Sequence, residues 1–257
     1  MLEARTTSLK ESFANANLPA VIAAAPIFGS GENASKVFQM TIKTRRDERR
    51  KPKVEYFEIF PGDKDNDVRV IDVNKKHRQV LLLVHEPRRR FMIANRDWRT
   101  GKERTVERFT QDFQRTYLAG LDQTHLFIAE LPRRVSTVEA AHDVLKPDIA
   151  KRNTSTKRQG EWFFIPVTSD EERLIDAPDT TIEHVNAIPG KSRNQHVAEE
   201  IVKIDKVNSK EPDVFVRGKI THVDHKTIVL KRWCRVERNT ERRTDTLRGI
   251  ATLDYID

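Results

Sequence analysis

Short β-forming segments recur along this chain, and most of them end at a proline, a glycine or a charged turn. Residues 37–43 and 68–73 alternate apolar and polar side chains, as a strand with one buried face does. Residues 79–85 form a continuous apolar run, which predicts a central strand buried on both faces. Further strands are predicted over residues 54–60, 91–94, 126–131, 162–167, 214–223, 226–236 and 250–256. The sequence therefore predicts an α+β fold, mostly antiparallel β-sheet with a few short helices.

Three segments carry helix signals. Val106, Phe109, Phe113 and Tyr117 recur at spacings of three and four, which predicts a helix over residues 103–118. Ser136 and Glu139 form a capping-box pair before a second helix, which Pro147 ends. A third helix is predicted to start within residues 168–171, whereas residues 197–204 fit either a strand or a helix.

A length of 257 residues fits one large domain or two small ones. Residues 147–157 are polar and have no period, which favours a domain boundary there. We therefore expect an N-terminal arm over residues 1–34, a β-rich domain with one or two helices over 35–147, and a smaller β-rich domain over 158–257.

The composition limits which binding partners and which cellular compartment are expected. The chain has 47 Lys and Arg against 39 Asp and Glu, a net charge of +8, which favours nucleic acid as a partner, although interleaved charges also describe an ordinary solvated surface. The single cysteine, Cys234, excludes an internal disulfide and a cysteine-based zinc site, so we expect a reducing, cytoplasmic location. Because no apolar run approaches the length of about 20 residues that a bilayer requires, no membrane span is expected.

The side chains that could bind a metal ion or take part in catalysis are concentrated in the last hundred residues. His222 and His225 flank Asp224 at a predicted hairpin turn, in which Asp224 and His225 form the two-residue loop. This register places Ile220 opposite Val229 and Val216 opposite Trp233. It also places Arg217 opposite Arg232 on the other face, so these like charges need a carboxylate, a phosphate or exposure to solvent.

Imidazole nitrogens bind zinc and other divalent transition metals when three or more ligands converge. His196 is the expected third ligand beside His222 and His225; His184, Asp224 or Glu161 could complete the set. In an enzyme, such a metal would assist phosphodiester hydrolysis, with Glu161 or Asp224 as the catalytic base and Arg217 as an anion clamp. The alternative is one solvated and one hydrogen-bonded structural histidine.

Arginine clusters are the candidate nucleic-acid contacts, because guanidinium groups match phosphate oxygens. The residues concerned are Arg88, Arg89, Arg90, Arg217, Arg232, Arg242 and Arg243. No sequence-specific recognition motif accompanies them, so only generic phosphate contact is expected. A non-catalytic interaction or assembly protein, with structural histidines and charge that serves solubility, is the competing hypothesis.

Residues 158–240 carry a resemblance to one family. Arg158-Gln159-Gly160-Glu161 opens an apolar strand, a later histidine follows, and a strand pair contains His-x-x-His. The arrangement resembles a family of uncharacterised bacterial and phage proteins. The resemblance implies that Arg158, Gln159, Glu161, His196, His222 and His225 form one site. This chain has only His196 where the family usually has two histidines, and the resemblance implies no established activity.

Overall fold

The computed structural model describes residues 2–29, 32–47, 50–96, 98–190, 194–206 and 211–240. The strand predicted over 250–256, and Arg242 and Arg243, lie outside these residues. The described chain divides into two compact units, with residues 122–124 and 143–240 in the second. The predicted α+β class with mostly antiparallel sheet is confirmed. Among the helices of the described residues, none is long and apolar enough to cross a membrane.

The first unit contains two larger sheets and a two-stranded ribbon. Its helices and strands are α1 (Leu2–Asn15), β1 (Ala20–Ile22), α2 (Glu32–Lys36), β2 (Gln39–Asp47), β3 (Arg50–Phe60), β4 (Asp67–Asn74), β5 (Gln79–Glu86), β6 (Arg90–Arg96), β7 (Glu103–Phe109), β8 (Phe113–Asp122) and β9 (His125–Glu130). The helix α3 (Val138–Leu145) begins in the first unit, and its last three residues belong to the second. The sheet orders are β1-β3-β2, β4-β5-β8-β9 and β6-β7, and among the strands of the described residues only β1 pairs in parallel, with β3.

The core of this unit includes the buried strand β5 and apolar residues from the first 34 positions. Residues 80–84 of β5 are buried, and β5 lies between β4 and β8, so the predicted central strand is confirmed. The first 34 residues, predicted as an arm, contribute Leu9, Phe13 and Leu18 to the same apolar cluster as Phe57. Phe13 and Phe57 meet edge to face, with ring centroids 5.2 Å apart.

The helix predicted over residues 103–118 is wrong, because this segment forms β7 and most of β8. β7 pairs with β6, and β8 pairs with β5, with Tyr117 opposite Leu82. Phe113 and Tyr117 are four residues apart, a spacing that places two side chains on one face of a strand as well as of a helix. Pairing with the buried β5 decided between the two.

The second unit is built on one six-stranded antiparallel sheet, in the order β10-β11-β15-β14-β13-β12. Its helices and strands are α4 (Asp148–Lys151), β10 (Lys157–Gln159), β11 (Trp162–Pro166), α5 (Ser169–Ile175), β12 (Glu183–Ala187), β13 (Val197–Ile204), β14 (Asp213–Thr221) and β15 (Ile228–Arg238). Residues 197–204 are therefore a strand. The predicted start of α5 is confirmed, with Thr168 and Glu171 forming its capping box.

The hairpin of β14 and β15 is present, but its predicted register is wrong. Ile220 lies opposite Ile228 and Val216 opposite Cys234, and the register shifts at a bulge between Val216 and Gly218. The connection is not a two-residue turn, because β14 ends at Thr221 and β15 begins at Ile228. Because this loop is longer, His222 and His225 lie outside the strand ladder, and both side chains can turn toward His196.

Candidate metal centre

Strand register brings the first two histidines together. β13 begins at Val197, β14 ends at Thr221, and these two residues are partners in the antiparallel ladder. His196 and His222 are the next residues outward on each strand, so they emerge side by side at one end of the sheet. His225 joins them from the loop over residues 222–227, which connects β14 to β15.

The three imidazoles form a stack. Ring centroids lie 4.2 Å apart for His196 and His222, 4.7 Å for His222 and His225, and 5.6 Å for His196 and His225. One ring nitrogen from each residue lies within 4.8 Å of the other two. A zinc ion bound between them would lie about 2 Å from each nitrogen, so the side chains would have to move closer together to hold it.

Burial keeps two of these rings neutral at pH 7. Burial and the adjacent His222 and His225 lower the pKa of His196 to about 4. Burial also lowers the pKa of His225, although the carboxylates of Asp122, Glu161 and Asp224 act in the opposite direction. A neutral imidazole retains the lone pair that a metal ion requires.

Two ring nitrogens at this site are buried without a partner among the described residues. They are Nε2 of His196 and Nδ1 of His225. Buried polar atoms normally have a hydrogen-bond partner, so each such atom calls for an explanation, such as an ion or a water molecule. Two of these atoms lie on histidines of one stack, and the three histidines of that stack could hold a metal ion.

His222 is oriented by main-chain contacts on both sides of its ring. Its Nε2 lies 3.1 Å from the carbonyl oxygen of Asn194, which requires a donating N–H at that position. Its Nδ1 then accepts the backbone N–H of Asp224, also at 3.1 Å. A metal ion at Nδ1 would replace the Asp224 amide, while the contact with Asn194 would hold the ring as metal-bound histidines are commonly held.

The turn between β10 and β11 packs directly against His225. Gly160 has a φ of +59°, and a Cβ added there would lie 2.7 Å from Nε2 of His225. Gln159 donates from its side-chain nitrogen to the carbonyl oxygen of Lys226 at 2.6 Å, and its buried Oε1 has no partner among the described residues. Gln159 and Gly160 therefore support the loop that carries His225.

The predicted catalytic carboxylates lie at the edge of this group. Oδ2 of Asp224 lies 4.0 Å from Nδ1 of His222 and accepts a hydrogen bond from Asn194 at 3.3 Å. Glu161 lies 3.7 Å from a guanidinium nitrogen of Arg238. The other potential ligand, His184, lies on β12 opposite Glu200 and is not one of the three grouped histidines.

Sequence reasoning missed the contribution of residues 122–124. The side-chain oxygen of Gln123 accepts the backbone N–H of Lys226 at 2.8 Å, which braces the loop next to His225. The negative charge of Asp122 acts on His225 directly. Neither residue lies in a motif, and both are about a hundred positions from His225, so no sequence signal could have found them.

The arginines proposed as nucleic-acid contacts have different environments. Arg89 is largely buried, and it donates at 2.7 Å both to the carbonyl oxygen of Lys36 and to Asp63. Arg90 forms an ion pair with Glu107 and Arg88 lies over the ring of Phe109, while both remain exposed to solvent. Arg89 is thus a structural residue, whereas its two neighbours face the solvent.

Arg217 and Arg232 do not face one another. Arg217 forms an ion pair with Glu200 on β13 and lies over the ring of Trp233, with 4.7 Å between the guanidinium carbon and the ring centroid. A carboxylate therefore lies beside the guanidinium group of Arg217, the predicted anion clamp. Arg232 is exposed. Cys234 is buried, and burial raises the pKa of its thiol to about 11, as expected of an inert residue.

Comparisons with known proteins add no assignment to this geometry. The chain matches no protein-family model, and no curated protein or solved structure is significantly similar to it.

Proposed function

We propose that this protein binds a divalent transition-metal ion, with zinc as the expected ion, through His196, His222 and His225. The observation that carries the proposal is the pair of buried, unpartnered nitrogens on two of three stacked imidazoles. Leaving a buried polar atom unpaired costs about 1–3 kcal/mol. A bound ion would offset this cost at both atoms.

The donor set favours zinc over calcium or magnesium, because those two ions prefer oxygen ligands. Three histidines with a water molecule in the fourth position are a recurrent arrangement of catalytic zinc. Such an ion, when bound, lowers the pKa of its water ligand and so supplies a nucleophile near neutral pH. Metal-assisted hydrolysis is therefore the reaction class that we propose if the protein is an enzyme.

Of the two predicted bases, Asp224 has the better position for a role beside the ion. Its carboxylate lies near His222, whereas Glu161 interacts with Arg238. A phosphodiester substrate would need a cation to hold the phosphate, and Arg217, the residue predicted for that role, forms an ion pair with Glu200. Phosphodiester hydrolysis thus remains a prediction, as do the cytoplasmic location and the assembly role without a metal.

A zinc titration of the metal-free protein tests this proposal. We expect one equivalent of zinc to compete with a chromophoric chelator. His222→Ala combined with His225→Ala should weaken this binding by more than about 100-fold, because one ligand cannot form a site that needs three or more. His184→Ala is the matched control, since it removes a histidine of the same sheet outside the group.

Folding must be followed in the same samples by circular dichroism, so that a loss of zinc binding is assigned to the ligands. Cobalt(II) in place of zinc should give the visible absorption of a tetrahedral site in the wild type and in His184→Ala. If the folded double variant binds zinc as tightly as the wild type, the three histidines are not the ligands.

A further inference from the structure

The strands β6 and β7 form a separate basic ribbon in the first unit. They pair antiparallel from Arg90–Phe109 to Arg96–Glu103 and constitute a two-stranded sheet. Each strand has seven residues, so the ribbon is about 23 Å long at about 3.3 Å per residue. Most residues of β7 whose side chains are described are exposed.

The positive charge of the chain is concentrated in this segment. Residues 88–109 contain eight Arg and Lys residues and three Asp and Glu residues, and eight minus three gives a net charge of +5, against +8 for the whole chain. Arg89 is neutralised by Asp63, which leaves most of this excess on the ribbon. A surface with such an excess attracts polyanions.

Aromatic rings accompany the cations at both ends of the ribbon. Trp98, in the connection between the strands, is 84% exposed, and the guanidinium carbon of Arg99 lies 4.8 Å from its ring centroid. At the other end, Arg88 lies 5.0 Å from the ring centroid of Phe109, which is 36% exposed. An exposed indole offers a flat apolar face with a polar N–H, and tryptophan is enriched where proteins contact their partners.

We propose that this ribbon binds single-stranded nucleic acid, with the ring of Trp98 stacked on a base and Arg88, Arg99 and Lys102 in contact with phosphates. An unpaired strand offers base faces to an exposed indole, and positive charge beside aromatic rings is how proteins hold such strands. The inference is independent of the metal site, which uses other residues in the other unit.

The same features discriminate against a membrane surface. Membrane binding by a peripheral element requires a substantial apolar face that enters the interface. At the tip of the ribbon, Trp98 is followed by Arg99, Thr100, Gly101 and the exposed Lys102, so the described residues there provide one apolar side chain. A single indole suits one base better than it suits a bilayer.

The experiment measures the binding of a fluorescein-labelled oligothymidylate to the full chain by fluorescence anisotropy. The buffer contains a chelator that removes metal ions. Trp98→Ala should lower the affinity between about fivefold and about 150-fold, the range for loss of one stacked base. Its affinity for heparin, a polyanion without bases, should not change. Trp98→Phe should restore most of the affinity for the oligonucleotide.

The salt dependence tests the phosphate contacts. Arg99→Gln with Lys102→Gln should make the slope of log K against log salt shallower by about 1.4, because each phosphate contact on a single strand contributes about 0.7. Lys151→Gln with Arg173→Gln is the matched control, since it removes two exposed cations from α4 and α5. This control should keep the wild-type slope.

Three results would overturn the proposal: no binding of the oligonucleotide at low salt, an equal loss of heparin and oligonucleotide binding in Trp98→Ala, or tighter binding to vesicles of anionic lipid than to the oligonucleotide. The last result would assign the ribbon to a membrane surface. Because metal ions are removed throughout, none of these results bears on the zinc proposal.

Discussion

The imidazole rings of His196 and His222 are stacked, with their centroids 4.2 Å apart and their planes inclined by 22°. Each residue is the first beyond its strand, next to the ladder partners Val197 and Thr221. The contact is therefore imposed by the sheet, and only His225 depends on the course of a loop. A site with two ligands on strand ends is more rigid than one built on loops alone.

Gly160→Ala tests how His225 is held. Alanine at a φ of +59° is strained, and its Cβ would lie 2.7 Å from Nε2 of His225, so that the histidine must move. We expect zinc affinity to fall by about 10- to 100-fold, as when supporting residues of metal ligands are changed. The measurement is the chelator competition described above.

Gly29→Ala provides the control for that variant, because Gly29 also has a positive φ, of 74°, and belongs to the first unit. It should carry the backbone cost of about 1–2 kcal/mol without a change in zinc affinity. Unchanged zinc affinity in Gly160→Ala would show that the contact with His225 does not position that ligand.

Arg88 and Arg89 are neighbours whose substitution should change the free energy of unfolding by different amounts. Arg89→Ala removes hydrogen bonds to Lys36, Asp63 and Asn66, and we expect the free energy of unfolding to fall by about 2–3 kcal/mol, within the range for bonds to charged groups. Arg88→Ala, at an exposed position, should change it by less than about 0.5 kcal/mol. Urea unfolding monitored by circular dichroism compares them, and equal losses would contradict the structural role of Arg89.

Acid stability should depend on Arg235. Burial alone would raise the pKa values of Asp213 and Glu171. Hydrogen bonds and charge from Arg235 nevertheless lower both pKa values, below the ordinary 3.8 of Asp213 and 4.5 of Glu171. Lys206 also lowers the pKa of Asp213, and Thr168 that of Glu171. The unfolded chain therefore binds protons at these groups before the folded chain does. Their contribution to stability is complete above about pH 4.5 and is lost as the pH falls below it.

Arg235→Gln should accordingly reduce the slope of unfolding free energy against pH between about pH 5 and pH 3. The difference between variant and wild type reports the carboxylates that Arg235 contacts, which are Asp213, Glu171 and Glu237, since other titrating groups contribute to both proteins. A slope in Arg235→Gln as steep as in the wild type would mean that the arginine does not set the two pKa values.

The sequence predicted those elements whose pattern of apolar and polar residues fits only one type of secondary structure. Residues 79–85 are apolar on both faces and form the central β5, and Thr168 with Glu171 marks the start of α5 by its own hydrogen bonds. The four-residue spacing of Phe113 and Tyr117 fits a helix and a strand equally, and only pairing with β5 distinguishes them.

The candidate site was predictable in its residues and not in its geometry. The spacing of His222 and His225 predicts a pair of ligands, with His196 as the expected third, and these are the three that group together. The register of β14 against β15 was not predictable, because it depends on the bulge near Gly218 and on the longer loop. The supports from Gln123 and Gly160 come from distant segments, so only the folded chain reveals them.

The most direct test of the metal centre is elemental analysis of protein purified without a metal-binding tag, for the wild type and for His196→Gln. We predict about one zinc ion per chain in the wild type and almost none in the folded variant, because the buried His196 supplies one of three ligands. A wild-type protein that remains free of metal after incubation with zinc would contradict the proposal, and the three histidines would then be structural.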